Sequence, residues 1–211
     1  LLKRPVCVVG GARFIGLHVC RELKSRGATV RIVERFDHGE ASKVVTHGVV
    51  DDVIECDARG FGGFGQSDLV IDLATVCVRA SLRDPIRVAR EVSECGAAVA
   101  EYCGHAGVRR LCYVSSSEVY GEVLGGALHE GCLPRPQTTY GAAKLAGEHC
   151  AVAARLRHGM QVVVVRPFNA YGPGAHVGGV AGEAIPRWIA RASRGESLVV
   201  HGDGAQTRDF T

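Results

Sequence analysis

The sequence PVCVVGGARFIG, residues 5–16, joins a short apolar run directly to a glycine-rich turn. Residues 5–9 are apolar and rich in β-branched side chains, which predicts a buried parallel strand. Gly10 allows a tight turn, Gly16 allows a helix to approach the strand, and residues 17–26 carry a helical pattern. A strand, a glycine turn and a helix in this order aim backbone N–H groups at a pyrophosphate. The stretch therefore predicts a dinucleotide-binding α/β fold.

The next segment bears on which dinucleotide binds. Residues 28–33 read as a second strand that ends at Glu34, 18 residues after Gly16. An acidic residue at about this distance accepts hydrogen bonds from the adenosine ribose and repels a 2′-phosphate, which favours NAD. Arg13, at the usual place of a middle glycine, and Arg35 can each pair with a 2′-phosphate. We predict NAD as the cofactor, with NADP as the alternative.

The composition is that of a globular protein with one sizeable core. The chain has 211 residues, of which 46% are hydrophobic and 22% charged, with a net charge of +3. This charge is too small to indicate nucleic acid or membrane as a partner, and residues 1–4 do not read as a signal peptide. Nine cysteines without a Cys-x-x-Cys spacing favour reduced thiols and a cytoplasmic protein. The nine histidines show no ligand spacing, so we predict no metal site.

Strand-like and helix-like segments alternate along the chain, which is typical of a parallel sheet covered on both faces. Without a linker to divide them, residues 1–167 are predicted to form one doubly wound domain. The further predicted strands lie at 53–56, 68–73, 110–114 and 162–165, and the further helices at 86–105, 138–157 and near 183–194.

Tyr140 and Lys144 are spaced as i and i+4 on the helix predicted at 138–157. The two side chains therefore share a face, where an ammonium is expected to lower the tyrosine pKa towards that of a general base. A solvated helix face is the alternative interpretation of this pair alone.

Taken together, the motifs resemble those of the extended short-chain dehydrogenases/reductases, specifically the nucleotide-sugar epimerases and dehydratases. The segments that carry the resemblance are GGARFIG, DLAT, RDP, VSSSEVYG, TTYGAAKLAGE, RPFNAYGPG, IPRWI and GDGAQTRDFT. The resemblance implies a Rossmann domain over 1–167, and a smaller C-terminal substrate lobe that begins at 168–211 and is truncated here.

The resemblance also assigns roles to particular residues. Tyr140 would be the base, Lys144 would hold the nicotinamide ribose, Asp57 would contact the adenine, and Asn169 and Arg208 would face the substrate diphosphate. The implied catalytic residues are Ser116, Ser117, Glu118, Tyr140 and Lys144. The implied cofactor residues are Gly10, Ala12, Arg13, Phe14, Ile15, Gly16, Glu34, Arg35, Asp57, Ala58, Leu73, Ala74, Thr75, Tyr140, Lys144 and Pro167. The implied substrate residues are Ser116, Asn169, Val199, His201 and Arg208.

Some of these residues have simpler interpretations. The serines at 115–117 can be a polar strand end, Asn169 a turn residue before Gly172, and Glu118 a solvated charge. Arg13 departs from the family pattern, so the approach of a cofactor is expected to differ there.

The resemblance implies a common first step, which is oxidation at C4 of a nucleotide sugar, and the expected substrate is UDP-linked. Among the reactions that can follow this step, 4-epimerisation is the one that we predict. Ser117-Glu118 keeps 4,6-dehydration and uronic-acid decarboxylation open, and a catalytically silent dinucleotide-binding module is the non-enzyme alternative. The resemblance further implies a homodimer that pairs the helices at 86–105 and 138–157, where apolar residues form either the interface or the core (Val88, Val92, Val99, Leu145 and Val152).

Overall fold

The structure is a computed structural model that describes residues 4–35, 48–122, 126–179, 182–200 and 202–211. Six parallel strands form one sheet in the order β3-β2-β1-β4-β5-β6. The strand order reverses between β1 and β4, and such a switch point is where open α/β sheets bind ligands. The predicted doubly wound parallel sheet is confirmed. The strands are β1 Val6–Val9, β2 Val30–Glu34, β3 Asp52–Glu55, β4 Leu69–Asp72, β5 Arg110–Val114 and β6 Gln161–Val165.

The helices begin and end at residues suited to those positions. The Asp84 side chain accepts from Arg87 N at the start of α3, and Thr138 accepts from Gly141 N at the start of α4. Gly159, with φ of +73°, ends α4 in the left-handed conformation. The helices are α1 Phe14–Ser25, α2 Val78–Ser81, α3 Pro85–His105, α4 Thr139–His158 and α5 Ala184–Ala192. The predicted helices agree with these to within about three residues, as is usual for helix ends.

The two faces of the sheet carry separate hydrophobic clusters, because side chains alternate along each strand. Cys7 and Val9 of β1 point into the cluster formed with α3 and α4. Val6 and Val8 point into the opposite cluster, which includes Cys20 of α1. These alternating contacts fix the register of β1 and hence the position of the glycine turn that follows it.

Residues beyond 167 make fewer buried contacts. Apart from α5, the chain from 193 to 200 and from 202 to 211 is exposed, and an isolated parallel bridge joins Asn169 to Phe210. The division into domains at residue 167 stays a prediction. Among the described residues, no helix combines the length and the apolar character that a membrane crossing requires.

Two expectations about buried side chains can be compared with the structure. None of the nine cysteines is in a disulfide; three are buried and six are half-buried.

Of the apolar residues considered for a dimer interface, Val88, Val92 and Val99 are buried in this protomer's own core. Leu145 is half-buried and Val152 is 41% exposed, so only these two retain surface for a partner.

Candidate active site

The predicted cofactor and catalytic residues gather at the carboxyl edge of the sheet. The glycine turn follows β1, the segment 73–75 follows β4, and the serines at 115–117 follow β5. Neighbouring segments are joined through their backbones, since Leu73 N donates to Val9 O and Ser117 N donates to Pro167 O. In open α/β sheets this edge is the place where ligands bind.

Two glycines of the turn are required by close backbone approaches. Gly10 has φ of +76°, and a Cβ added there would lie 2.9 Å from Ala74 N. A Cβ added at Gly16 would lie 2.5 Å from the Gly10 carbonyl oxygen. The turn is therefore packed tightly against both α1 and the segment after β4, with the start of α1 at its end. This cradle fits the diphosphate of a dinucleotide.

Glu34 lies beside this turn and Arg35 is turned towards other carboxylates. Glu34 Oε2 accepts a hydrogen bond of 3.1 Å from Ala12 N. Arg35 Nη1 is 3.6 Å from Asp57 Oδ2, and Arg35 Nη2 is 3.8 Å from Glu91 Oε2. The carboxylate at the end of β2 fits a ribose diol, whereas the guanidinium that would favour a 2′-phosphate is held by acidic neighbours. The arrangement favours NAD over NADP.

Asp57 is held by an arginine that the sequence analysis did not single out. Arg59 Nη2 lies 2.6 Å from Asp57 Oδ2, and Arg59 N donates to Asp57 Oδ1. These hydrogen bonds lower the pKa of Asp57 to about 2. Ala58, between them, is buried. The Asp-x-Arg spacing after β3 was the available signal, and the pair fixes the carboxylate predicted to face the adenine.

Three predicted residues at the start of α1 differ in exposure. Arg13 is exposed and precedes the helix without a side-chain cap. Phe14 is half-buried and packs edge-on against His18, with ring centroids 5.7 Å apart. Ile15 is 38% exposed. Their contacts with a cofactor stay predictions.

Tyr140 brings together side chains from three elements. It is 9% exposed, and the side chains of Thr75 and Ser116 lie close enough to its hydroxyl to act as hydrogen-bond partners of the phenolate. Burial raises the pKa of Tyr140, while these hydrogen bonds oppose that rise and the Glu118 carboxylate adds to it. The expectation that Lys144 lowers this pKa is wrong for the structure as it stands, because desolvation of the phenolate outweighs the favourable contacts.

Lys144 faces β5 and the sheet. Its Nζ donates to Val114 O at 2.9 Å and lies 5.2 Å from the centre of the Tyr113 ring. The side chain is 2% exposed, and burial lowers the pKa of Lys144, an effect that the Asp72 and Glu148 carboxylates oppose. The ammonium is thus held beneath the site by fixed contacts.

The segment after β5 positions a second hydroxyl and a carboxylate. Ser116 Oγ accepts from Glu118 N and caps the 3₁₀ helix Ser117–Val119. Glu118 Oε2 accepts from Thr138 Oγ1 at 3.2 Å. Because Thr138 also caps α4, Glu118 is anchored to the helix that carries Tyr140.

Asp72 is a buried acid at this edge that the sequence analysis did not place in the site. It is 1% exposed, and its Oδ1 accepts from Ala74 N at 3.0 Å. Its Oδ2 has no hydrogen-bond partner among the described residues. Burial raises the pKa of Asp72 to about 6, against the effects of the Lys144 charge and the Ala74 N–H group. The other titratable groups that interact with it are Cys7, Cys95, Cys103, Cys112 and Tyr113.

Three of the residues predicted to bind substrate, Asn169, Val199 and Arg208, hydrogen-bond to other residues in the segment after residue 167. Asn169 Nδ2 donates to Asp209 O, and Arg208 Nη1 donates to Thr207 O while remaining exposed. Val199 is 46% exposed, and its carbonyl accepts from the Trp188 indole. His201 lies outside the described residues. Substrate contacts from this region stay predictions.

Comparison with known proteins agrees with this geometry. Residues 6–211 match the NAD dependent epimerase/dehydratase family. A UDP-N-acetyl-alpha-D-glucosaminuronate decarboxylase of Bacillus cytotoxicus is 31% identical over 220 residues, covering 100% of this chain and 68% of that protein.

Two solved structures are similar throughout the chain. A UDP-N-acetylglucosamine 4-epimerase from Methanobrevibacter ruminantium, in complex with UDP-N-acetylmuramic acid, has a TM-score of 0.90 and 27% identity, covering 100% of this chain and 69% of that one. A UDP-glucuronic acid 4-epimerase from Bacillus cereus, in complex with UDP-glucuronic acid and NAD, has a TM-score of 0.86 and 29% identity, covering 98% and 68%. The chain therefore belongs to the NAD-dependent epimerase/dehydratase family, whose members are enzymes that act on nucleotide sugars with NAD as cofactor.

Proposed function

We propose that this protein is a nucleotide-sugar 4-epimerase that acts through a 4-keto sugar. The observation that carries the proposal is the convergence of the Tyr140, Ser116 and Thr75 hydroxyls beside a glycine cradle that fits a dinucleotide. Hydroxyls placed in this way can bind a sugar hydroxyl and move its proton.

Each residue has a distinct role in the proposed reaction. Tyr140 accepts the proton of the C4 hydroxyl, and Ser116 hydrogen-bonds the same sugar oxygen. When bound, NAD supplies the hydride acceptor next to C4. Lys144, held beneath the site by its hydrogen bond to Val114 O, would bind the nicotinamide ribose of the cofactor. Return of hydride to the opposite face of the ketone yields the 4-epimer.

The presence of a single acidic residue at positions 117 and 118 favours epimerisation over dehydration. Elimination of the 6-hydroxyl requires one group that removes a proton and another that donates one. Glu118 supplies a carboxylate here, but its neighbour Ser117 is not an acid. Epimerisation needs no group beyond those already described, so it is the simpler reaction for this set of side chains.

Decarboxylation of a nucleotide-linked uronic acid is the second candidate. A 4-ketone makes the neighbouring carboxylate a β-keto acid, which loses carbon dioxide without a second acid. The 31% identity with a decarboxylase supports this alternative. Glu118, anchored by Thr138, would then order the sugar beside Tyr140.

Three further parts of the proposal concern the substrate and the assembly. UDP is the nucleotide we propose, because both solved structures described above hold UDP-linked ligands. Leu145 and Val152 on α4 are the residues that a homodimer would cover. Asn169 and Arg208 would bind the diphosphate.

The test is incubation of the purified protein with NAD and UDP-glucose, UDP-N-acetylglucosamine or UDP-glucuronic acid in separate reactions, with products identified by NMR. Inversion at C4 alone supports the epimerase. Loss of carbon dioxide supports the decarboxylase, and a 4-keto-6-deoxy product contradicts both. Since the pKa of Tyr140 is raised, we expect kcat/KM to increase as the pH rises.

Tyr140→Phe keeps the ring and removes the proton acceptor. We expect it to lower kcat by about 10²–10⁴-fold while NAD binding, measured by calorimetry, is retained. Tyr171→Phe is the matched control, because Tyr171 is 49% exposed and packs on Phe210. Equal activity of the Tyr140→Phe variant and the wild type would refute the assigned role.

A further inference from the structure

Two histidines and a glutamate meet at the edge of the molecule opposite the candidate active site. Glu101 and His105 lie on the last turns of α3, and His158 is the last residue of α4. Both helices lead into the starts of strands, whereas the glycine turn follows a strand end. The sequence analysis predicted no metal site, because the histidines are scattered. The overlooked signal was the i, i+4 spacing of Glu101 and His105, which places both on one helix face.

The potential ligand atoms are at distances that suit a transition-metal ion. Glu101 Oε2 lies 3.1 Å from His158 Nε2 and 3.8 Å from His105 Nε2. Each of the three residues offers one potential ligand atom within 4.8 Å of those of the other two. Bonds of about 2.0–2.1 Å in a tetrahedral zinc site separate neighbouring ligands by about 3.3 Å. Small side-chain rotations, chiefly of the exposed His105, would close the site.

The surroundings hold the histidines in place and favour a cation. His158 is 14% exposed and packs against Gly104, where an added Cβ would overlap its ring. The rings of His105 and His158 meet edge to face with centroids 4.7 Å apart. The carboxyl ends of two helices converge here, and helix carboxyl ends carry partial negative charge.

Arg157 opposes a cation at this place. Its Nη1 lies 3.1 Å from Glu101 Oε2, so it occupies the same carboxylate that a metal would use. The Arg157 side chain is 65% exposed and can move into solvent. A metal ion therefore competes with this guanidinium, and removal of its charge should strengthen metal binding.

We propose that Glu101, His105 and His158 form a binding site for a divalent transition-metal ion, with zinc the best match and water in the fourth position. Two imidazoles and one carboxylate are ligands that zinc accepts readily. The ion would join the ends of α3 and α4, and α4 carries Tyr140 and Lys144 nearer its other end. Its role would be to hold the two helices together, outside the reaction centre.

Cobalt(II) titration of the full chain, freed of metal by a chelator, tests the proposal. We expect visible absorption bands of tetrahedral cobalt with nitrogen and oxygen ligands at one ion per chain, displaced by zinc. His105→Ala should weaken binding by at least about tenfold, because even the loss of a residue that only orients a ligand costs about 10–100-fold in metal affinity. Arg157→Gln should strengthen binding. His149→Ala, which removes an exposed histidine from the same helix, is the matched control and should change nothing.

Thermal unfolding gives a second measurement on the same proteins. Zinc should raise the melting temperature of the wild type and of His149→Ala, but not that of His105→Ala. Since His105 is 70% exposed, its replacement leaves the fold intact. Failure to bind cobalt, intense near-ultraviolet bands from cysteine ligation, or equal affinity of the wild type and His105→Ala would each overturn the proposal.

Discussion

The buried carboxyl of Asp72 should make the stability of the folded protein depend on pH. The carboxyl is buried under the candidate active site, and one of its oxygens has no hydrogen-bond partner among the described residues. Burial raises its pKa from 3.8 to about 6, despite the charge of Lys144. A carboxyl with a raised pKa favours the folded state most when it is protonated. The folded protein should therefore lose stability as the pH rises from about 4 to about 6.

The size of the effect follows from the two pKa values. At about 1.36 kcal/mol per pH unit, the rise to about 6 corresponds to about 3 kcal/mol across the whole transition. About 1 kcal/mol of this should appear between about pH 5 and pH 7, where proteins are conveniently handled. Asp72→Asn keeps the size of the side chain and cannot ionise. The free energy of unfolding of this variant therefore lacks the pH-dependent contribution of the Asp72 carboxyl.

The assay is urea unfolding followed by circular dichroism, on the wild type and Asp72→Asn at several pH values. Titrations common to both proteins cancel in the difference, so the variant should gain about 1 kcal/mol on the wild type from pH 5 to pH 7. Asp57→Asn is the control: the pKa of Asp57 is lowered to about 2, so its difference from the wild type should be constant in this window. A constant difference for Asp72→Asn would refute the reasoning.

Three further predictions concern backbone packing, a buried ion pair and the cofactor. Gly16→Ala should lower the free energy of unfolding by about 1–3 kcal/mol and weaken NAD binding, because its Cβ would lie 2.5 Å from a carbonyl oxygen; Gly60→Ala, with open space around it, is the control. Glu148→Ala should lower the free energy of unfolding by about 3 kcal/mol, since it removes the buried carboxylate that pairs with Arg166 and leaves that guanidinium, among the described residues, only its contact with the Tyr120 ring. Glu196→Ala, in an exposed pair, should leave urea unfolding unchanged. Glu34→Gln should shift relative affinity towards NADP by at least about tenfold in calorimetry, because the carboxylate beside the glycine turn no longer repels a 2′-phosphate; an unchanged ratio would contradict its proposed role.

Local sequence patterns were sufficient to predict the sheet and the helices. The apolar runs at 6–9 and 162–165 are strands because they are β-branched and short, and Gly10 marks the turn after β1. The order of the motifs then predicted which strand ends meet at one edge of the sheet, as parallel strands connected by helices require.

What could not be predicted depends on contacts between distant segments. The pKa of Tyr140 is raised because α4 is packed against the sheet, and the i+4 spacing of Lys144 carries no information about that desolvation. Asp72 reads as an ordinary strand-end residue until its burial is known. Likewise, His158 meets Glu101 only because two helix ends converge.

Two glycines set the closeness of α3 and α4. A Cβ added at Gly96 would lie 3.2 Å from Gly147 Cα, and one added at Gly147 would overlap the Tyr113 hydroxyl. Tyr113 Oη in turn donates to Lys144 O, within the helix that positions the tyrosine of the site. A methyl group at Gly147 would thus shift the whole of α4 away from the sheet. This shift would also move Tyr140, which lies two turns away on the same helix. Directed evolution of this enzyme should therefore find activity changes at positions without any ligand contact, and random libraries should tolerate Gly147 substitutions as poorly as those at the site itself.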